Sequence, residues 1–176
     1  NFSERHQNDV GVYAVDYPAS LNFDQAALGV IDARNKVASI AAECSDTRIV
    51  VGGYSQGAAV AGYTTADAVP AGYVLPDGIV GPLPVSVSSH VAAVVLFGTP
   101  SESFLHLVDR NAPPIVISGQ WTAKTLQLCA PRDPVCSSSG GFDRAAHGAY
   151  QDDGSTEQAA DFVASQLSAA PAAQHV

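Results

Sequence analysis

Apolar runs and helix-forming stretches alternate along this chain of 176 residues. The uninterrupted apolar run Val91–Phe97 predicts a buried strand, and shorter runs predict further strands over residues 10–15, 48–53 and 124–129. Helical patterns are predicted over 22–43 (interrupted by Arg34), 56–69 and 101–110, and a capping box at Ser155 to Gln158 predicts a closing helix. This alternation indicates an α/β fold, a three-layer parallel sheet with helices on both faces.

The motif Gly53-Tyr54-Ser55-Gln56-Gly57 lies between the strand predicted over 48–53 and the helix predicted from residue 56. A G-x-S-x-G motif in this context is typical of a nucleophile elbow, in which a serine occupies a strained turn and flanking glycines avoid collisions. The helix that follows directs its positive end towards the serine, and the Gln56 backbone N–H becomes a donor to an oxyanion. The competing interpretation is a tight strand–helix turn with no catalytic role.

Composition narrows the classes of function. Apolar residues make up 47% of the chain, charged residues 14%, and the net charge is −9. No basic cluster is present, so nucleic acid and anionic membranes are poor partners. No apolar run approaches the roughly 18 residues that span a bilayer. We expect one domain over 1–168 with a flexible tail over 169–176, and the start at Asn1 without any methionine predicts a processed or truncated product.

A serine nucleophile needs an imidazole base, and the partners in this fold follow in the order Ser, Asp or Glu, His. Of the five histidines, His6 precedes the motif, His90 comes just before a strand, His106 lies in a predicted helix and His175 is in the tail. His147 follows the last strand and precedes the last helix. It is therefore the predicted base, with a surface-loop histidine as the alternative.

Asp133 is the predicted acid, because it follows the last strand within Cys129-Ala-Pro-Arg-Asp-Pro-Val-Cys136. If the two cysteines pair, they close a short loop that holds the carboxylate rigid. A metal site at this Cys-x6-Cys spacing is not expected, since no second ligand pair accompanies it. The competing carboxylates are Asp143, Asp152 and Asp153, which are interpreted as solvated loop charges.

The run Gly52–Ala58, the Cys129-x3-Asp133-x2-Cys136 loop and His147 downstream together resemble the cutinase family, most of all its short secreted mycobacterial-type members. The resemblance extends from about residue 10 to about residue 167. It implies an α/β-hydrolase without a lid that cleaves carboxylic esters through a Ser55–Asp133–His147 triad. It also implies a disulfide between Cys129 and Cys136, and neither a metal nor an organic cofactor.

The same resemblance implies a first strand that carries a cysteine, followed by a loop whose Ser or Thr supplies the second oxyanion donor. Neither is recognisable here, so the sequence predicts an N-terminally truncated fold in which the second donor is missing. Cys44 resembles the cysteine that would pair with that strand, which accounts for the odd number of cysteines. Loss of one oxyanion donor typically costs about 10²–10³ in turnover.

The leading hypothesis is a secreted or cell-wall serine esterase of cutinase type, a monomer that acts on cutin-like polyesters, short or medium acyl esters, or lipids. The alternatives are an acetyl-esterase, a phospholipase or thioesterase on the same fold, and a catalytically weak or inactive remnant. An apolar acyl groove is one interpretation of several apolar residues, and ordinary loop packing is the other. These residues are Tyr73, Val74, Leu75, Ile79, Val80 and Phe142.

Overall fold

A computed structural model describes residues 10–20, 25–68, 74–75, 77–137 and 143–169. Within these ranges three strands are present: β1 (Ile49–Tyr54), β2 (Val91–Phe97) and β3 (Thr125–Leu128). The α-helices are α1 (Ala26–Glu43), α2 (Gln56–Thr64), α3 (Val85–Ser88), α4 (Glu102–Val108), α5 (Arg144–His147) and α6 (Ser155–Ala169). Short 3₁₀ helices span Gly119–Lys124 and Ala149–Gln151.

The described strands form one parallel sheet in the order β1-β2-β3. Their register aligns the last residues, because Tyr54 pairs with Phe97 and Phe97 pairs with Leu128. The segments that follow the three strands therefore leave the sheet at the same edge. This carboxyl edge is where ligands bind in open parallel sheets.

The central strand β2 separates two hydrophobic layers, because successive side chains of a strand point to opposite faces. Val94 and Leu96 pack in the cluster that contains Ala58 and Ala61 of α2. Ala93 and Val95 pack with α6 on the other face. The predicted three-layer α/β architecture is thus confirmed.

Helix α1 packs on α2 through Ala26 and Val30, which lie against Val60, and its Val37 joins the core cluster that contains Ile49 and Val91 of the sheet. Ile79, from the loop between α2 and α3, packs against the same cluster. The half-buried Arg34 guanidinium donates to the Gly81 carbonyl at 2.6 Å, and burial lowers the pKa of Arg34. Ile79 and Gly81 of this loop thus contact α1, whereas Val74 and Val80 are 93% and 100% exposed, so packing accounts for only some residues of the predicted groove. Two residues of the predicted groove, Tyr73 and Phe142, lie outside the described residues.

The strand predicted over residues 10–15 is wrong. This segment has no strand assignment, and Val12 is 85% exposed. Its interactions are with α1 instead: the Tyr13 hydroxyl lies 3.0 Å from both carboxylate oxygens of Asp32. A β-branched sequence favours extended backbone, but a strand also requires a hydrogen-bonded neighbour, and no described strand pairs with this segment.

Several helix boundaries also differ from the predictions, and the helix predicted over 101–110 is observed as Glu102–Val108. The helix predicted over 56–69 ends at Thr64, where the Thr65 hydroxyl donates to the Ala61 carbonyl at 2.9 Å. The capping box at Ser155 is wrong, because the Gln158 N–H, which would donate to the Ser155 hydroxyl, donates to the Gly154 carbonyl at 3.1 Å. Asp153 Oδ1 in turn accepts from the Ser155 N–H at 2.9 Å. The acceptor at the start of α6 is therefore an aspartate two residues earlier. Residues 22–24 of the first predicted helix and the tail from residue 170 lie outside the described residues.

In the part of the chain that the structure describes, no helix is both long enough and apolar enough to cross a lipid bilayer.

Candidate active site

Ser55 occupies the sharp turn between β1 and α2, as the motif predicts. Its backbone has φ 56° and ψ −120°, a left-handed φ that is strained for a residue with a side chain. The Ser55 N–H donates to the Phe97 carbonyl at 2.9 Å, which ties the turn to the end of β2. The strain is thus held by the sheet on one side and by the start of α2 on the other.

The two glycines of the motif have different roles. A Cβ at Gly53 would lie 2.0 Å from the Gly57 carbonyl oxygen, so no other residue fits without a backbone shift. A Cβ at Gly57 would meet no described atom within 4 Å. The predicted collision is therefore confirmed for Gly53 and wrong for Gly57, since only Gly53 faces the returning backbone of α2.

His147 ends the short helix α5 and lies between the other two predicted residues. Its Nε2 is 2.8 Å from Ser55 Oγ. Its Nδ1 lies 2.9 and 2.8 Å from Asp133 Oδ1 and Oδ2. Because an ionised carboxylate only accepts hydrogen bonds, Nδ1 carries the proton and Nε2 is left to accept from the serine hydroxyl.

Asp133 is fully buried at 0% exposure, in a loop closed by the Cys129–Cys136 disulfide. Burial alone would raise the pKa of Asp133. Hydrogen bonds from the Tyr150 hydroxyl, the His147 ring and the Val135 N–H (2.8 Å) outweigh burial and hold that pKa below its usual range. Asp133 is therefore an anion paired with the imidazole.

The competing histidines and carboxylates that the structure describes lie elsewhere. The His90 carbonyl accepts from the Ile49 N–H at the amino ends of β1 and β2, and His106 is exposed on α4. His6 and His175 fall outside the described residues. Asp143 caps α5, with its Oδ1 accepting from the Ala145 N–H at 3.0 Å. Asp152 is exposed, and Asp153 caps α6.

Tyr150 completes the surroundings of the carboxylate and was not foreseen from the sequence. Its hydroxyl donates to Asp133 Oδ2 at 2.5 Å and accepts from the Ala130 N–H at 3.0 Å. Burial, followed by the hydrogen bond to Asp133, raises the pKa of Tyr150. The available signal was its position three residues after His147, one turn away along the same segment.

Two further neighbours of His147 were also missed. Tyr54 stacks on the imidazole, with ring centroids 4.8 Å apart and planes inclined by 29°. Gly98 follows β2 with φ 58°, and a Cβ there would lie 3.0 Å from His147 Cε1 and 3.1 Å from Asp133 Oδ2. For Gly98, the signal in the sequence was a glycine directly after a buried strand, at the same edge as Ser55.

The predicted disulfide is present, with Cα atoms 5.9 Å apart, and Cys44 is an exposed free thiol. The Gln56 side-chain amide donates to the Ser20 carbonyl at 2.9 Å, which fixes the first residue of α2. Among the described residues, no group of three or more His, Cys, Asp or Glu side chains could hold a metal ion.

The family model described as Cutinase matches residues 2–167. The chain belongs to the cutinase family of carboxylic ester hydrolases. A cutinase-family relative named probable carboxylesterase Culp5, from Mycobacterium tuberculosis, is 51% identical over 161 residues, which cover 92% of this chain and 89% of that protein. Phospholipase Culp4 of the same organism is 39% identical over 164 residues, covering 93% of this chain and 66% of that protein.

Among solved structures, this cutinase-family chain is similar to Trichoderma reesei cutinase in complex with a C11Y4 phosphonate inhibitor. The two superpose with a TM-score of 0.66 at 27% identity, over 94% of this chain. The matched region spans 64% of the Trichoderma reesei chain. The cutinase fold thus accounts for the three layers and for the elbow at the carboxyl edge of the sheet.

Proposed function

We propose that this protein hydrolyses carboxylic esters through an acyl-enzyme on Ser55, with His147 as general base and acid and Asp133 as the carboxylate that orients it. The continuous chain of hydrogen bonds from Ser55 Oγ through the imidazole to Asp133 carries the proposal. Each link is 2.8–2.9 Å long. Such a chain converts a weak hydroxyl into a nucleophile at neutral pH.

In the acylation step, Ser55 Oγ attacks the ester carbonyl carbon and its proton passes to His147 Nε2. The imidazolium is stabilised by Asp133, and it then protonates the leaving alcohol as the C–O bond breaks. A water molecule next gives its proton to Nε2 and attacks the acyl carbon. His147 returns that proton to Ser55 Oγ, which releases the carboxylic acid and restores the site.

The tetrahedral intermediates carry a negative charge on the former carbonyl oxygen. We expect the Gln56 backbone N–H and the amino-terminal end of α2 to stabilise this charge, because both lie immediately after Ser55. A second donor was not identified from the sequence. The expected consequence is a slow but real turnover.

The substrates we propose are esters with exposed carbonyls, such as short- to medium-chain acyl esters or polyesters. Support comes from the open position of the site, since Ser55 and His147 are only partly buried and Tyr54 beside them is 47% exposed. A phospholipid is the second candidate, because a relative that is 39% identical is named a phospholipase. The Cys129–Cys136 disulfide supports an oxidising, extracellular setting.

The proposal is tested with Ser55→Ala and His147→Ala on a series of nitrophenyl esters of increasing acyl length, and on phospholipid vesicles. We expect each variant to lose at least about 1,000-fold in kcat. A fluorophosphonate probe should label the wild-type protein at Ser55, as phosphonates label serine nucleophiles.

The matched control is Ser89→Ala, since Ser89 is an exposed serine that follows α3, at the amino end of β2. It should keep wild-type activity. Full activity in Ser55→Ala would refute the proposal. Preferential release of fatty acid from vesicles would select the phospholipid over the simple esters.

A further inference from the structure

Helix α5, which carries His147, has little anchorage of its own. It spans only Arg144–His147, and none of its four residues is buried. Its first turn is capped by Asp143. The imidazole is therefore held chiefly by polar and aromatic contacts, because the helix that carries it contributes no buried side chain.

Tyr54 makes two of those contacts from a rigid position. It is the last residue of β1, where it pairs with Phe97. Its hydroxyl donates to the His147 backbone carbonyl at 2.6 Å, across 93 positions of sequence. Its ring lies against the imidazole, with centroids 4.8 Å apart, and meets the Tyr150 ring edge-on at 5.9 Å. Tyr54 thus joins α5 to the elbow itself.

On the basis of the proposed triad, we propose that Tyr54 is a positioning residue for the general base. The hydroxyl holds the end of α5 so that Nε2 stays within hydrogen-bonding distance of Ser55 Oγ. The ring also favours the protonated imidazole that forms in each transition state, because the face of an aromatic ring attracts a cation. Tyr54, the residue before the nucleophile, therefore fixes the position of His147 and favours its protonated form.

Two variants separate these actions. Tyr54→Phe keeps the stacked ring and removes the hydroxyl, so we expect kcat to fall about 3- to 10-fold with KM unchanged. Tyr54→Leu removes both, and we expect kcat to fall about 10- to 100-fold. Slower labelling of Ser55 by a fluorophosphonate should follow the same order.

The pH–rate profile distinguishes a role in catalysis from general support of the fold. Among the described residues, the titratable groups against the imidazole are Asp133 and Tyr54, with Tyr150 acting through Asp133. The nearest described charged residues on its own segment are Asp143 and Arg144. Both variants lose the Tyr54 hydroxyl, and Tyr54→Leu loses the ring contact with the imidazole as well. We expect the midpoint of the acid limb to move to lower pH by about half a unit in the leucine variant. It should not move in the phenylalanine variant.

The matched control is Tyr13→Phe. Tyr13 is a tyrosine of similar exposure, 45%, whose hydroxyl also donates to an acceptor, the Asp32 carboxylate on α1. This variant should keep the wild-type kcat and pH–rate profile. Thermal unfolding of all three variants checks that they fold. If Tyr54→Leu does not fold, the kcat and labelling rate of Tyr54→Phe test the inference.

If Ser55→Ala is inactive, so that the proposed function holds, either of two results would still overturn the inference about Tyr54. One is a Tyr54→Phe variant with the kcat and labelling rate of the Tyr13→Phe control. The other is an increase in KM alone, which would assign Tyr54 to substrate binding. Activity in Ser55→Ala would instead remove the proposed function from which the inference starts.

Discussion

At the residue scale, the hydroxyl of Tyr150 has a double role beside the carboxylate. It accepts from the buried Ala130 N–H and donates to Asp133 Oδ2. Removing it would leave one backbone donor without its partner and would take one donor away from a buried anion. An unsatisfied buried group of this kind typically costs about 1–3 kcal/mol.

We therefore predict that Tyr150→Phe lowers the free energy of unfolding by about 1–3 kcal/mol, measured by urea denaturation. The same change raises the pKa of Asp133, because that carboxylate loses a hydrogen bond that stabilises its charged form. A more basic carboxylate stabilises the imidazolium more strongly. The acid limb of the pH–rate profile should thus move to higher pH, opposite in sign to Tyr54→Leu.

Phe97 provides the control, because its ring contacts Tyr150 edge-on at 5.8 Å without any hydrogen bond to the carboxylate. A Phe97→Leu variant should lose stability with no shift of the acid limb. If the acid limb of the pH–rate profile did not shift in Tyr150→Phe, the Tyr150 hydroxyl would contribute only to the stability of the fold.

At the scale of elements, the elbow depends on one glycine more than the other. In Gly53→Ala the new Cβ meets the backbone where α2 returns past β1, so the turn must open. We predict a loss of about 3 kcal/mol in the free energy of unfolding and loss of Ser55 labelling by a fluorophosphonate.

Gly57→Ala is the matched change within the same motif, where the added methyl group enters open space. Alanine is the better helix former, so stability should rise by up to about 1 kcal/mol, and Ser55 should still be labelled. Equal damage from the two substitutions would contradict the contrast between the glycines.

The elements themselves were predictable where burial dictates the pattern. Val91–Phe97 was predicted with its observed bounds, because a strand buried on both faces is apolar at nearly every position. The segment over residues 10–15 has the same β-branched character, but pairing depends on a neighbour that local sequence does not specify. The start of α6 was misjudged because Ser155 and Asp153 are both good caps, and only the backbone geometry selects between them.

At the scale of the whole molecule, the parallel register brings three distant segments to one edge. Ser55 follows β1, Gly98 follows β2, and the disulfide loop with Asp133 follows β3. Chain order and loop position were enough to predict that Ser55, Asp133 and His147 would converge. They were not enough for Tyr54, since an aromatic residue at the end of a strand is usually read as core, and its contact with His147 exists only in the folded chain.

The buried Asp133 also links the candidate site to the stability of the whole molecule. Because its pKa is lower in the folded chain than the ordinary 3.8, it stabilises the fold above that value. That contribution is lost as the pH falls through the folded pKa. Asp133→Asn has no such titration.

We therefore predict that the Asp133→Asn variant melts at a lower temperature than the wild type near pH 6, and that the difference in Tm narrows near pH 3. The exposed Asp152→Asn serves as control and should follow the wild type at both pH values. A gap in Tm for Asp133→Asn that stays constant between these two pH values would show that Asp133 does not contribute to stability through its charge.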